Sequence, residues 1–399
     1  VTDRRQLKPG WKIWRFDQMA TNVNVRIDNP SESGMEHYVG LEHLDPDSLR
    51  IRRWGSPDDV EATKLMFKKG DIIFGRRRAY QRKLGVAEFD GICSAHAMVL
   101  RAKPEVVLPE FLPFFMQSDL FMNRAVEISV GSLSPTINWK TMAIQEFALP
   151  SLVEQKNLVG LLSAIQSAFD AYREALDVAQ TQLTNIRDSI MWGGEHQQLK
   201  DSLIGSIPES WQAKLIGDMV DFQGGSQPPA HTFEFSPSSN NVRLIQIRDY
   251  KSSEFLTYVP KALAKKFCDE NDVMIGRYGP PVFQILRGLT GAYNVALIKA
   301  VPRQGLSKRY LYHFLKEKAL LSLIEGLSRR SCGQAGVDMD KLKRYALPLP
   351  PLDEQERLSD IFDSFELSVK NIQARINKLG PLRGKVITSS TEVVDVLRI

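Results

Sequence analysis

Apolar positions along this chain follow two rhythms, and the alternation between them occurs twice. Short apolar runs such as Asp71 to Phe74 and Asn294 to Ile298, punctuated by glycine and proline, predict strands and turns over roughly the first 150 residues of each half. Helical patterns interrupt these runs near Pro109 to Ala125 and Ser307 to Ile324, so each globular part is expected to be a mixed α and β domain. The rhythm then changes. Leu158, Leu162, Ile165, Phe169, Tyr172, Leu176, Ala179, Leu183, Ile186 and Ile190 follow alternating steps of four and three, and Leu358, Phe362, Phe365, Val369, Ile372, Ile376 and Leu379 repeat the seam. A coiled-coil-like helix is therefore predicted at the end of each half. Ser151 with Glu154 forms a capping-box pattern, and Asp353 and Glu354 after Pro350-Pro351 place acids at a helix start. Gly380-Pro381 is expected to break or kink the second helix.

Each seam is too narrow for a helix buried on all sides and too apolar for one standing alone in water. The economical solution pairs the two helices antiparallel through Leu158, Leu162, Ile165 and Phe169 on one and Leu358, Phe362, Phe365 and Ile372 on the other. The other solution packs each helix on its own domain. Antiparallel pairing would set two globular domains at opposite ends of a rod about 60 Å long, under two turns of duplex DNA. Such a ruler suits a split target with two different half-sites and an unread gap.

The halves are related at an offset of 200 residues. "LPSLVEQKNLVGLL" from Leu149 matches "LPPLDEQERLSDIF" from Leu349, and Trp11 and Met19 match Trp211 and Met219, each tryptophan following a proline turn at Pro9 or Pro208. "GDIIFGR" from Gly70 matches "NDVMIGR" from Asn271, and "YVGLEHL" from Tyr38 is set against "LIQIRDY" from Leu244. The organisation expected is an α+β duplication: recognition domains over 1–150 and 196–350, and spacer helices over 151–195 and 351–399.

Length and composition agree with two ordinary cores: 399 residues, 43% hydrophobic and 25% charged, with a formal charge of +5. The mild basic excess favours an anionic partner without requiring one. Cys93, Cys268 and Cys332 are far apart with no CxxC spacing, which argues against a disulfide framework or thiolate metal site and fits a reducing cytoplasm. The charged stretch from Val1 to Trp14 has no apolar signal-like core, and no apolar run approaches a membrane span, so a soluble, unexported protein is expected.

After Phe74 comes "GRRRAYQRK", where Arg76, Arg77, Arg78, Arg82 and Lys83 surround Tyr80 and Gln81. Arginine can fork onto guanine and glutamine onto adenine, while the same cations could instead neutralise phosphates, or the run could be a solvated loop. The matching stretch "GRYGPPVFQILRG" offers Arg277, Tyr278, Gln284 and Arg287. A second pair of candidate loops, "GSLSPT" from Gly131 and "SCGQAG" from Ser331, supplies Ser134, Thr136, Arg330 and Gln334. Small residues there permit close approach to a nucleic acid, though a plain connector reads the same way.

Catalytic chemistry is not legible. There is no GxGxxG, no Walker A, no Asn-Pro-Pro-Tyr or Asp-Pro-Pro-Tyr, and "GGSQPP" from Gly224 lacks the ending of a phosphate loop. "PDDVEATK" from Pro57 crowds its acids and lysine too closely for a nuclease metal site, and the six histidines are scattered. No catalytic residue, cofactor or metal is assigned to the chain.

Two halves that open after a proline turn at a tryptophan and close on "LPSLVEQ" or "LPLPPLDEQ" before a long helix resemble the type I restriction-modification specificity subunits. "YVGLEHL", "GDIIFGR" and "GAYNVALIK" support the resemblance over essentially the whole chain. It implies a non-catalytic cytoplasmic subunit that reads double-stranded DNA and docks two methyltransferase subunits, which use S-adenosylmethionine, and restriction subunits, which use ATP and Mg. A generic repeat-built nucleic-acid-binding or interaction protein is the alternative left by the residues alone.

Overall fold

The first strand of each half pairs with its last. Lys12–Arg15 runs antiparallel to Glu146–Leu149 with Lys12 opposite Leu149, and Gln212–Leu215 runs antiparallel to Ala346–Leu349 with Gln212 opposite Leu349. The two registers coincide at the sequence offset of 200. The computed structural model describes residues 7–194, 198–202, 204–328 and 336–391. It divides into two units, Val1–Ala175 with Ile372–Ile399, and Leu176–Asn371. The helix Leu152–Ile190 and the helix Leu352–Thr391 therefore each contribute one end to each unit.

The repeat extends into the sheets. The first unit has a four-stranded sheet in the order Ala20–Val23, Ala97–Ala102, Ile72–Gly75, Leu84–Val86; the second has Val220–Gly224, Leu297–Pro302, Val273–Gly276, Gln284–Leu286. Ala20 faces Ala102 as Val220 faces Pro302, and Ile72 faces Leu100 as Val273 faces Ala300. A second four-stranded sheet in each unit contains one parallel pairing, Tyr38–Val39 with Gly91–Ser94 and Asn241–Ile245 with Gly291–Tyr293. The "YVGLEHL" and "LIQIRDY" stretches occupy these matching places.

The helical patterns each split in two. Ser118 accepts a hydrogen bond from the Phe121 N–H and starts Asp119–Glu127 after the short helix Leu112–Met116. In the second unit the Glu317 carboxylate accepts from the N–H groups of Ala319 and Leu320 at the start of Lys318–Ser328, following Lys308–Phe314.

Each core takes in the start of a long helix. In the first unit Phe16, Phe74, Phe115, Phe121 and Phe147 pack with centroids 5.3 to 6.1 Å apart, and fully buried Leu162 joins them. In the second, Trp211, Tyr310 and Phe314 share a core with Leu358 and Phe362, and with Leu183 and Met191. Burying a side chain of this size contributes about 1.5–3 kcal/mol.

The "EQ" of the closing motif has a direct physical role. Gln155 is fully buried; its carbonyl accepts from the Leu108 N–H at 2.9 Å, and its amide donates to the Val106 and Pro150 carbonyls. Gln355 repeats this, accepting from the Ser307 N–H at 2.8 Å and donating to the Gly305 and Pro350 carbonyls. One side chain thereby ties the helix start to the loop before the domain's own helices. Beside it, Ser151 accepts from the Glu154 N–H as the capping box requires, and Glu354 accepts from the Trp211 indole N–H at 2.8 Å.

Within each unit the start of one long helix lies against the end of the other, antiparallel. In the first, Gln166 accepts from Arg383 at 2.7 Å, and six residues further along Tyr172 accepts from Arg375 at 2.7 Å. In the second, Arg187 reaches Glu366 at 3.2 Å and lies over the Phe362 ring. Gln166 and Glu366 are repeat equivalents, so each unit places a buried arginine on the same position. Ile165, Phe169, Leu176, Leu183 and Ile376 are buried along the seam, Leu158, Phe365 and Ile372 partly so. Pairing and packing on the domain thus occur together, because Leu162, Leu358 and Phe362 serve domain cores.

The expected break at Gly380-Pro381 does not occur. The helix Leu352–Thr391 continues through Pro381, since tertiary packing on both flanks offsets the lost hydrogen bond: Ile376 is buried before it, and after it Arg383 donates to Gln166 and the Asp47 carbonyl.

Arg187 belongs to a charged cluster that also includes His313, Lys316, Asp363, Arg287 and Arg309. Burial lowers the His313 pKa against the opposing pull of its 3.0 Å bond with Asp363. Burial would raise Asp363 and Glu366, but bonds from His313, Arg287 and Arg309 to the one, and the charge and bond of Lys316 at the other, hold both below the usual carboxylate range.

Replacing Gln355 by Leu leaves the Ser307 N–H and two carbonyls unpaired, and is expected to cost about 1–3 kcal/mol, read by denaturant unfolding. The lowered His313 pKa means the unfolded chain takes up a proton below about pH 6.5 that the folded unit refuses, so stability falls as pH drops through that point. Thermal unfolding at pH 7.5 and 5.5 should show this slope, and His313→Gln should flatten it.

Candidate nucleic-acid interface

The arginine-rich stretch forms the turn between Ile72–Gly75 and Leu84–Val86, and the turn between Val273–Gly276 and Gln284–Leu286 is its counterpart. Arg78 and Arg82 adopt left-handed backbone at φ 57° and 53°; their counterparts Gly279 and Phe283 do so at 104° and 64°. Left-handed conformation costs a residue with a side chain about 1–2 kcal/mol, so the turn holds its shape through surrounding bonds rather than intrinsic preference.

Those bonds come from the other predicted loop. Arg77 forms a β-bridge with Thr136, the Arg78 N–H donates to the Pro135 carbonyl at 2.7 Å, the Ile137 N–H donates to the Arg76 carbonyl, and Arg78 Nε donates to Ser134 Oγ at 3.1 Å. In the second unit Tyr278 bridges Gly336 and the Val337 N–H donates to the Arg277 carbonyl. In the first unit two stretches some 55 residues apart thus form one surface, and in the second Gly336 and Val337 meet the turn in the same register. Arg330 and Gln334 lie outside the described residues.

The cations of the first turn divide by partner. Arg82 is committed to the fold, donating to Asp47 at 2.7 Å, Asp119 at 2.9 Å and the Gln117 carbonyl. Lys83 donates to the Leu41 carbonyl. Arg76 donates to the Ala95 carbonyl at 3.1 Å while its Nε is buried without a partner. Arg77 lies 3.5 Å from His96, whose pKa is lowered by burial and by Arg77 and Arg76. Exposed Arg78 and Tyr80, with Arg76 and Arg77, remain able to meet a ligand; Gln81 is half-buried beside them.

In the second turn Arg277 lies over the Tyr278 ring at 5.2 Å, and Gln284 donates to the Pro281 carbonyl at 3.0 Å. Arg287 turns inward, bonding Asp363 and stacking on Tyr312 at 3.9 Å, so its charge is spent on the long helix. No sequence signal distinguished Arg82 and Arg287 from their neighbours, because the carboxylates they meet are remote in the chain.

Chemistry of other kinds finds little support in the described residues. His313, Asp363 and Glu366 come close enough to hold a metal ion, but Arg187, Arg287, Arg309 and Lys316 already neutralise those carboxylates. Pro57–Asp59 is a capped turn in which Asp59 accepts from the Ser56 N–H. Among the described residues no helix is long and apolar enough to cross a membrane.

The fold and its duplication have known counterparts. The type I restriction modification DNA specificity domain matches residues 60–176 and 208–380. A chain assigned as the MjaX specificity subunit of a type I restriction enzyme in Methanocaldococcus jannaschii is 24% identical over 366 residues, covering 83% of this chain and 81% of the relative. The EcoKI specificity subunit of Escherichia coli K12 is 22% identical over 81% of this chain and 72% of its own. The crystal structure of a type I restriction-modification S subunit from M. genitalium superposes with a TM-score of 0.60 over 97% of this chain and 98% of that one, at 12% identity. The chain belongs to the type I restriction-modification DNA specificity domain family and carries that domain twice.

Proposed function

We propose that this chain is the non-catalytic address-reading subunit of a cytoplasmic type I restriction-modification complex, and that it recognises a bipartite sequence in double-stranded DNA. The observation that carries the reading is the duplicated turn and its bridge to the strand-side residue that follows: the same register found twice, bearing different side chains. Arg77 of the first unit stands where the second has Tyr278, Arg78 where it has Gly279, and Thr136 where it has Gly336. A conserved frame with exchanged reading residues suits two unlike half-sites.

In this reading the long helices, 39 and 40 residues or about 60 Å each, set the unread spacer and dock two methyltransferase subunits. Those subunits would supply S-adenosylmethionine chemistry, and restriction subunits the ATP and Mg. Arg76, Arg77, Arg78 and Tyr80 would read or position one half-site, and Arg277, Tyr278 and Gln284 the other.

Co-expression with a type I methyltransferase subunit from the same genome, followed by sequencing of methylated bases, should return a split motif with an unread gap. Absence of both complex and motif would favour a generic nucleic-acid-binding protein. Arg78→Gly suits the left-handed backbone at φ 57° and should leave folding intact. It should weaken binding by roughly 1–3 kcal/mol through one half-site only. An equal loss on unrelated duplexes would assign Arg78 to phosphate contact.

A further inference from the structure

A cleft in the first unit adjoins the arginine turn and is not accounted for by the loops above. It has a volume of about 160 Å³, and its lining includes Asn22, Asn24, Arg26, Thr63, Arg76 and Trp139. No carboxylate lines it, so its two arginines make it attractive to an anionic polymer. The side chains of Asn22, Asn24 and Arg26 make no hydrogen bond within the described chain, and the buried Nε of Arg76 lacks a partner. Asn22 is half-buried and Asn24 and Arg26 are exposed, so these side chains stand open to an external partner beside the buried, unpartnered Arg76 Nε.

We propose that this cleft reads a base edge in the half-site bound by the first unit, with Asn22 and Asn24 directed to adenine and Arg26 and Arg76 holding the adjacent backbone or a guanine. A carboxamide offers a donor and an acceptor side by side, the complement of adenine N7 and N6, whereas a phosphate uses only the donor. The inference rests on the DNA-reading function proposed above.

The repeat supplies an independent argument. Asn22 faces Leu100 in the sheet as Phe222 faces Ala300, which makes Asn22 and Phe222 structural equivalents, and the next positions on that face are Gly224 and Ser226. The frame is retained while the amide pair is lost. Gly225 is held tight against Asn294, where a Cβ would sit 1.9 Å from the carbonyl oxygen, so the second unit builds this place from close-packed backbone. The two units therefore present different chemistry here, as two unlike half-sites demand.

The test uses the full chain in complex with its methyltransferase and a set of duplexes, each carrying one substituted base pair of the split motif. Asn22→Ala and Asn24→Ala should each lose roughly tenfold to a hundredfold in affinity for the intact motif and lose discrimination at one A·T pair, with other positions unchanged. Asn24→Ser, which keeps a hydroxyl and disturbs packing least, guards against misfolding, with thermal unfolding as the check. Unchanged discrimination in both alanine variants, or an equal drop on every duplex, overturns the cleft as a reader. A wild-type complex with no split preference would instead overturn the subunit reading on which it rests.

Discussion

A buried glutamine at the first turn of each long helix is the interaction on which much of this architecture depends. Gln155 and Gln355 each satisfy three backbone groups that no sheet or helix pairs, at the place where the closing strand turns into the helix. An unpaired buried polar group is costly, so this geometry tolerates one side chain of one length carrying both a donor and an acceptor. With the helix start fixed, Leu162 and Leu358 enter the domain cores and the remainder of each seam is aimed toward the other helix. The antiparallel closure of the first strand on the last, in the same register in both halves, holds the other side of that junction.

Charge is used differently in the two units. In the first, buried Arg383 meets the neutral amide of Gln166 and the Asp47 carbonyl, with the Asp47 carboxylate 3.7 Å away. In the second, buried Arg187 meets Glu366, and lysine and further arginines neutralise the acids around it while His313 hydrogen-bonds Asp363. Desolvating ions helps little unless their bonds are complete, so the denser cluster contributes less net stability than its number of ion pairs suggests. It also holds Arg287 against Asp363 of the long helix.

The surface proposed to read DNA sits on a turn with left-handed backbone positions in both units, bridged to Thr136 in the first and to Gly336 in the second. Rigid support with exchanged side chains is how a protein changes what it recognises without changing its fold. The adjoining cleft follows the same logic, with amides in one unit and an aromatic residue and a glycine in the other at matching positions.

Periodicity and repetition alone determined the duplicated α+β fold and the two long helices, because an offset of 200 and a heptad spacing are properties of the chain itself. The Leu149 and Leu349 motifs could be matched as words, but the reason for their glutamines needed the loops at 106–108 and 305–307, which only folding brings near. The same holds for the arginines. Arg78 and Arg82 are four residues apart in one basic run, yet Arg78 stays exposed while Arg82 is tied to Asp47 and Asp119. Pro381 is likewise a helix breaker by local rule, and a helix interior by tertiary packing. Local pattern decides which element forms, whereas the partner a polar side chain finds is decided by residues distant in the chain.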